Sequence, residues 1–238
     1  EYSKKSEKFK DIPLGYYVYP GKEWIVPKAF GKTRDVLRIF EELTGISYPF
    51  NKYDQTIVAG FQEFSGMENI TATTLADTEV FFANNPFGAS LVEDLVSHEA
   101  AHSWFGNLVT CKNWAELWLN EGFATFMEAA FREKMYGREA YLQKIAADAD
   151  IFITDDAVNP KRNGLFNRNA DNVSNLFARP ATTYNKGGAV IHTLREQIGD
   201  KAFWSGVNAY LNLHKFANVE TADLQAAMER AANTKLDW

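Results

Sequence analysis

A pair of histidines with a glutamate between them marks the part of this sequence best suited to chemistry. The pair is His98 and His102, and the segment reads His-Glu-Ala-Ala-His with Glu99 in second place. On a helix, residues four apart lie one above the other, about 6 Å apart along the axis, so both imidazoles can reach one metal ion. The spacing predicts a zinc ion held by both histidines, with Glu99 beside it.

Glu121 is the predicted third ligand of this ion. A catalytic zinc keeps three protein ligands, commonly imidazole and carboxylate groups, and leaves its fourth position to water. Glu121 lies near the start of a second apolar-periodic segment, residues 118–124, so its carboxylate can face the two histidines. Zinc would lower the pKa of the bound water to about 7, which makes that water a nucleophile at neutral pH. Glu99 would take the proton of this water and pass it to the leaving amine.

The alternative is that both histidines are structural residues of the hydrophobic core. The helix that carries them is apolar, with Leu91, Leu95 and Val96 before the pair and Trp104 and Phe105 after it. Such a helix is buried, and unpaired histidines and a glutamate would be costly there. Metal binding removes that cost, so the zinc interpretation is favoured.

Length and composition limit the possible partners. The 238 residues, of which 46% are hydrophobic, can bury a large core, and we predict a single domain over residues 1–238. The net charge of −6 and the pI near 5.3 argue against nucleic acid or an anionic membrane as partner. No apolar run approaches the roughly 20 residues that span a bilayer. Cys111 is the one cysteine, which excludes an internal disulfide and leaves the compartment open.

Strand patterns come first in the chain, and helical patterns follow. Segments rich in aromatic and β-branched residues predict strands at 14–19, 56–61 and 71–75. Apolar residues at helical spacing predict helices at 26–43, 90–105, 118–136, 138–152, 187–198, 201–213 and 221–232. Residues 155–179 have no sustained period and predict a long loop. The fold class is therefore predicted to be α+β, a small N-terminal sheet followed by a mostly helical part.

Several motifs together resemble one known family. Residues 66–69 read Gly-Met-Glu-Asn, and residues 98–102 are followed by eighteen residues and then Glu121. Residues 184–187 read Tyr-Asn-Lys-Gly. These segments resemble, in turn, the end of the Gly-Ala-Met-Glu-Asn exopeptidase motif, the zinc motif and the Tyr-x-Lys-Gly segment of the M1 family of zinc aminopeptidases, which are gluzincins. The flanks of the zinc ligands, residues 104–110 and 118–124, also look like family sequence.

The resemblance implies a catalytic domain of thermolysin-like architecture and gives roles to further residues. Glu68 would bind the free α-ammonium of the substrate, which favours N-terminal residues over internal peptide bonds. Gly66 and Met67 would offer edge backbone to the substrate chain. Tyr184 would donate its hydroxyl to the oxyanion of the tetrahedral intermediate. Larger members of the family also carry an N-terminal β-rich domain and a C-terminal helical domain, so this chain is expected to be a fragment that works with other domains.

Three positions depart from the family pattern. Ser65 stands where the family usually has glycine or alanine, Asn185 where glutamate is frequent, and Arg179 where an aromatic or apolar residue is often found. None of the three is a presumed catalytic residue. Two residues on the helix of the third ligand, Thr125 and Glu128, lie on the same face as Glu121 and are candidates to hold a ligand histidine from behind.

The predicted function is zinc-dependent hydrolysis of the N-terminal residue of peptides that have a free N-terminus. A zinc endopeptidase is an alternative that the Glu68 motif disfavours, and an epoxide hydrolase like that of one family branch stays open. A non-catalytic peptide-binding or scaffold module is a third alternative. The presence of Glu99 and Tyr184 argues against it, because a binding module has no use for a base or an oxyanion donor.

Overall fold

A five-stranded sheet forms the N-terminal part of the protein in the computed structural model, which describes residues 1–61, 64–159 and 164–237. Its strands are β1 Ser3–Phe9, β2 Ile12–Val18, β3 Tyr53–Val58, β4 Gly66–Met67 and β5 Ala72–Ala76. Their order in the sheet is β1-β2-β3-β5-β4. The β2/β3 and β3/β5 pairs are parallel, whereas β1 and β4 run antiparallel to their neighbours. Both edges of the sheet are therefore antiparallel strands.

The three predicted strands are confirmed with small shifts, and the other two strands of this sheet, β1 and β4, were not predicted. β1 reads Ser-Lys-Lys-Ser-Glu-Lys-Phe and exposes most of its side chains, so it carries no apolar alternation. β3 begins earlier than predicted because its polar start is buried, where Gln55 donates to Thr33 Oγ1 over 2.9 Å. β4 has only two residues, which is too short for a periodic signal.

Helices make up most of the chain after β5, and two more lie between β2 and β3. They are α1 Val26–Ala29, α2 Thr33–Thr44, α3 Asp77–Phe82, α4 Ala89–Ala101, α5 Trp118–Tyr136, α6 Arg138–Val158, α7 Val173–Leu176, α8 Gly187–Ile198, α9 Asp200–Leu213 and α10 Thr221–Ala232. Short 3-10 turns lie at Glu23–Ile25 and Trp114–Glu116, and a π-helical turn at Thr182–Lys186 leads into α8. A small sheet before a mostly helical part is the predicted α+β arrangement, and that prediction is confirmed.

Three predicted boundaries were wrong. The helix predicted at 90–105 ends at Ala101, and His102 is its C-cap residue. The helix predicted at 26–43 is broken between α1 and α2, where the backbone folds so tightly that a Cβ on Gly31 would lie 2.4 Å from the carbonyl oxygen of Pro27. The loop predicted at 155–179 begins later, because α6 continues to Val158, and it contains the short α7. Residues 160–163 of that loop lie outside the described residues.

A second, two-stranded sheet joins distant parts of the chain. β6 (Val109–Cys111) follows α4 and pairs in parallel with β7 (Ala217–Val219) near the C-terminus. Neither strand was predicted, because three residues are too few to show alternation. The pairing ties the loop after α4 to the C-terminal helices.

Helix α5 runs through the middle of the core. Every residue from 118 to 131 is buried, as expected for a helix that is covered on all sides. One hydrophobic cluster connects the sheet to the helices and includes Leu14 and Phe40 as well as Phe126 and Val207. The assignment of residues 1–238 to one domain stays a prediction. Among the helices of the described ranges, none is long and apolar enough to cross a membrane.

Candidate metal centre

Two helix ends bring the three predicted metal ligands together. His98 and His102 lie at the C-terminal end of α4, and Glu121 lies in the first turn of α5. The Nε2 atoms of both histidines lie 3.2 Å from Oε2 of Glu121. All three side chains are buried, and one ligand atom from each lies within 4.8 Å of the others. This is a donor set of two imidazoles and one carboxylate, which suits zinc.

The second nitrogen of each histidine has its own partner. Nδ1 of His98 lies 2.7 Å from Oε1 of Glu128, as expected for one of the two candidates on α5. Nδ1 of His102 donates to the carbonyl oxygen of Phe105 over 2.9 Å. These bonds fix both rings and leave each Nε2 directed at Glu121, which is the usual support of a metal-binding histidine.

The other candidate, Thr125, does not hold His102, because the carbonyl oxygen of Phe105 is the partner of His102 Nδ1. The methyl group of Thr125 packs against Gly188, where an added Cβ would lie 3.2 Å from it. Sequence reasoning could not find Phe105 as a partner, since a backbone carbonyl leaves no residue-type signal. The other two histidines lie elsewhere. His192 bonds through Nδ1 to the Tyr141 hydroxyl at 2.7 Å, and His214 lies 4.0 Å from Asp223.

The electrostatics of the site favour a bound cation. Burial opposes charge on His98, but hydrogen bonds to Glu121 and Glu128 raise its pKa well above the ordinary value. Burial also opposes charge on His102, yet the negative charges of Glu121 and Glu68 raise its pKa to about 9. At Glu121 the effect of burial is outweighed by His102 and His98, and the pKa falls to about 2. The surrounding carboxylates therefore stabilise positive charge at the position that a metal ion would take.

Glu99 is buried beside the candidate ligands. Its Oε2 has no hydrogen-bond partner within the part of the chain that the structure describes, and a buried unpaired oxygen is costly. Burial raises the pKa of Glu99 to about 7, which suits a group that accepts a proton near neutral pH. A water or substrate atom between Glu99 and the ligand set would satisfy this oxygen.

Glu68 reaches the same site from the edge of the sheet. It directly follows β4, and its carbonyl oxygen accepts a hydrogen bond from Asn107 Nδ2 at 2.8 Å, which ties this strand end to the loop after α4. Carboxylate oxygens of Glu68 and Glu99 and a nitrogen of His102 lie within 4.8 Å of one another. Gly66 leaves room for Glu99, because a Cβ there would lie 2.1 Å from its Oε1.

Tyr184 lies against the candidate ligand His98. It lies in the π-helical turn before α8, and its ring stacks on that of His98 with centroids 5.9 Å apart and an interplanar angle of 16°. Burial, together with the negative charges of Glu121 and Glu68, raises the pKa of Tyr184 well above its ordinary value. The phenol therefore stays protonated and can donate a hydrogen bond.

Two glycines allow the backbone of this turn to touch α5. A Cβ on Gly122 would lie 2.9 Å from Cα of Gly187, and a Cβ on Gly187 would lie 2.8 Å from Cα of Gly122. Real side chains do not tolerate such distances, so only glycine fits at either position. Because Gly122 follows Glu121 and Gly187 closes the turn that carries Tyr184, this contact sets how near the tyrosine lies to Glu121.

These groups open into one cleft of about 1330 Å³. All eight predicted site residues line it: Gly66, Met67, Glu68, His98, Glu99, His102, Glu121 and Tyr184. Apolar side chains add to its lining, among them Phe64, which meets Phe177 edge to face at 5.4 Å between ring centroids. A polar centre within an apolar cleft is the usual form of a site for a small or extended ligand.

Comparison with known proteins agrees with the motifs. Residues 28–238 match the family model for the "Peptidase family M1 domain". Glutamyl aminopeptidase of Bos taurus is 31% identical over 236 residues, which cover 94% of this chain and 24% of that protein. Aminopeptidase N of Streptomyces lividans is 33% identical over 232 residues, covering 95% and 27%. Alanine/arginine aminopeptidase of Saccharomyces cerevisiae is 33% identical over 232 residues, covering 93% and 26%.

The chain thus spans about a quarter of the length of these relatives. The family model nevertheless covers most of the chain, and the expected resemblance is confirmed. The chain belongs to peptidase family M1.

Proposed function

We propose that this chain is the catalytic domain of a zinc-dependent aminopeptidase, which removes the N-terminal residue from peptides. The observation that carries the proposal is the position of Glu68, whose carboxylate lies within 4.8 Å of a carboxylate oxygen of Glu99 and a ring nitrogen of His102. A carboxylate at this place can pair with a free ammonium one residue from the scissile bond. The names of the related proteins, all aminopeptidases, support the same reaction.

His98, His102 and Glu121 are proposed to hold the zinc ion. Their buried donor atoms, the fixed Nδ1 atoms of both rings and the negative surroundings support this assignment. When bound, zinc supplies a Lewis acid and lowers the pKa of a coordinated water to about 7. The side chains of the protein then have to handle the protons and charges of the reaction.

Glu99 and Tyr184 are proposed to do this. Glu99 is the general base: its Oε2, which has no hydrogen-bond partner among the described residues, would accept a proton from the attacking water and return it to the leaving amine. Tyr184 is the oxyanion donor, because its hydroxyl stays protonated and its ring lies against His98. A neutral donor stabilises negative charge as it develops on the carbonyl oxygen and needs no proton transfer of its own.

The substrate is proposed to enter along the edge of the sheet. Gly66 and Met67 form β4, an edge strand in the order β1-β2-β3-β5-β4, so its outer backbone groups can pair with an extended peptide. Glu68 then meets the ammonium at the end of that peptide. We further propose that other domains of the whole protein act together with this one, since the relatives are about four times longer.

The function is tested by metal content together with hydrolysis rates on a panel of aminoacyl-amide reporters. The whole protein should carry about one zinc at its His98, His102 and Glu121 site and should cleave free reporters faster than acetylated ones. Equal cleavage of blocked and free peptides would indicate an endopeptidase. Zinc without any hydrolysis would indicate a peptide-binding module.

Glu121→Ala is expected to lower zinc occupancy well below one ion per chain, because a site with two ligands remains. Metal content of the purified variant, measured by atomic emission, checks this. Glu116→Ala is the matched control. Glu116 is equally buried, at 5% against 6% exposure, but it accepts a hydrogen bond from Thr221. Full occupancy in Glu121→Ala would show that Glu121 is not a ligand.

Glu68→Gln is expected to lower kcat/KM for a free aminoacyl reporter, because a charge-assisted hydrogen bond to the ammonium is lost. The expected fall corresponds to a loss of at least about 2 kcal/mol of transition-state stabilisation. Acetylating the reporter removes the ammonium, which is the other partner of this contact. The kcat/KM of the wild type should then fall by a similar factor. Rates of both proteins on both reporters form a double-mutant cycle with the substrate as one partner.

The two losses should not add in this cycle, since both remove one contact. The variant should therefore discriminate less between free and acetylated reporter than the wild type does. Equal discrimination in both proteins would assign the ammonium to a different carboxylate and leave the hydrolytic activity in place.

A further inference from the structure

A buried lysine connects two carboxylates beside the candidate metal centre, in the lining of the same cleft. Lys144 extends from α6, and its Nζ lies 2.8 Å from Oε2 of Glu128 and 2.6 Å from Oδ2 of Asp148. Glu128 uses its other oxygen to hold Nδ1 of His98 at 2.7 Å. All four side chains are buried. The lysine therefore fixes the carboxylate that fixes a candidate ligand.

The same chain of contacts continues to the other side of the site. Nδ2 of Asn185 donates to Oδ1 of Asp148 over 2.9 Å. Asn185 directly follows Tyr184 in the π-helical turn at Thr182–Lys186. An unbroken path of polar contacts thus runs from His98 through Glu128, Lys144 and Asp148 to the residue beside the proposed oxyanion donor.

Each charged group on the path contacts a group of opposite charge or a hydrogen-bond donor, which a buried charge requires. Burial opposes the charge of Lys144, but the negative charges of Glu128 and Asp148 raise its pKa above the ordinary value, so it stays an ammonium. Stability alone does not call for such a group, because apolar residues of similar volume often stabilise a core as well. The two ends of the path indicate a positioning role. At one end Glu128 contacts the candidate ligand His98, and at the other Asp148 contacts Asn185, the residue next to Tyr184.

We propose that Lys144, Asp148 and Asn185 are positioning residues that hold His98 and Tyr184 in one fixed arrangement through Glu128. This inference rests on the proposed function and adds residues to it. A glutamate in place of Asn185 would face the carboxylate of Asp148, whereas the asparagine amide donates to it. The amide at 185 and the carboxylate at 148 therefore form a matched donor and acceptor.

Breaking the path at each end should give different results. Lys144→Met leaves Glu128 without its cation, so we expect an apparent zinc affinity about 10- to 100-fold weaker, together with a lower kcat. Asn185→Ala breaks the path on the Tyr184 side, and we expect kcat about 10-fold lower with zinc affinity and KM within about threefold of wild type. Zinc affinity is measured by competition with a chromophoric chelator on the whole protein.

A swap of the two groups tests the contact itself. Asp148→Asn and Asn185→Asp should each lower kcat, the first by removing charge and the second by placing two carboxylates together. The double variant keeps the total charge, and its amide at 148 can donate to the carboxylate at 185 while its oxygen accepts from Lys144. We expect the double variant to recover kcat to within about threefold of wild type, a coupling that independent sites do not show.

Arg195→Met is the matched control for loss of a buried cation. Arg195 pairs with Glu133 at 2.6 Å and Asp200 at 2.7 Å and is not among the residues that line the cleft. It should lower the thermal midpoint without changing zinc affinity. If kcat of the Asp148→Asn, Asn185→Asp double variant is no higher than that of the worse single variant, the proposal is overturned. This test still applies if Lys144→Met fails to fold. Unchanged zinc affinity in folded Lys144→Met overturns the proposal too.

The zinc measurements do not depend on hydrolysis. If the wild type binds zinc but cleaves no reporter, the proposed function fails, while weaker zinc binding by Lys144→Met still supports the positioning of His98.

Discussion

Glu99→Gln is expected to keep its zinc and to lose kcat by a factor of roughly 10² to 10⁴, the range of general acid–base catalysis. Glutamine has the shape of the glutamate but cannot accept the proton of the attacking water. The structure supports a large effect because Glu99 is buried and its Oε2 has no hydrogen-bond partner among the described residues, so its basic oxygen is free for the reaction. Metal content and steady-state rates on a free aminoacyl reporter measure both parts.

The control for this variant is Glu93→Gln on the same helix. Glu93 pairs with Lys32 and accepts a hydrogen bond from the Tyr136 hydroxyl at 2.6 Å, away from the cleft lining. It should keep both zinc and activity. A Glu99→Gln protein with wild-type kcat would remove Glu99 from the reaction, and one that lost its zinc would instead make Glu99 part of the ligand set.

Tyr184→Phe is expected to lower kcat by roughly 10² to 10³, about 2.7 to 4 kcal/mol, with little change in KM. The variant keeps the ring that stacks on His98 at 5.9 Å and removes only the hydroxyl. Because the lost hydrogen bond forms as charge develops on the carbonyl oxygen, the ground state should bind as before. Rates over a range of reporter concentrations separate kcat from KM.

Tyr136→Phe serves as the control, since Tyr136 is half exposed at the end of α5 and its hydroxyl bonds to Glu93. Its kinetics should match the wild type. A Tyr184→Phe protein whose KM rises while kcat holds would make Tyr184 a substrate-binding residue and leave the oxyanion without a donor from this turn.

The parts of the site that sequence predicted are those fixed by local periodicity. The spacing of His98 and His102 predicts two rings on one helix face, and the apolar pattern around Glu121 predicts the start of a second helix; the structure brings the three groups together. Tyr184 and Glu68 have no such local signal. They entered only through family motifs, because their approach to the ligands depends on long-range packing.

The rest of the site depends on contacts that have no pattern in the chain. The Phe105 carbonyl holds His102 through backbone alone, and Lys144 looks like an ordinary helix lysine until the fold buries it between two carboxylates. The short strands β6 and β7 pair across more than a hundred residues, so neither carries a local signal. Sequence periodicity describes single elements, whereas these features belong to pairs of elements.

The two edges of the five-stranded sheet differ in chemistry, and this has a consequence for solubility. An open edge of unpaired backbone groups invites other strands, and natural proteins protect such edges with charge. β1, at one edge, exposes Lys4, Lys5 and Lys8, whereas β4, at the other, is two uncharged residues inside the cleft. The lysines repel strand addition along the long outer edge, where aggregation would start. The sheet can therefore leave the β4 edge open for the proposed peptide binding while charge protects the β1 edge.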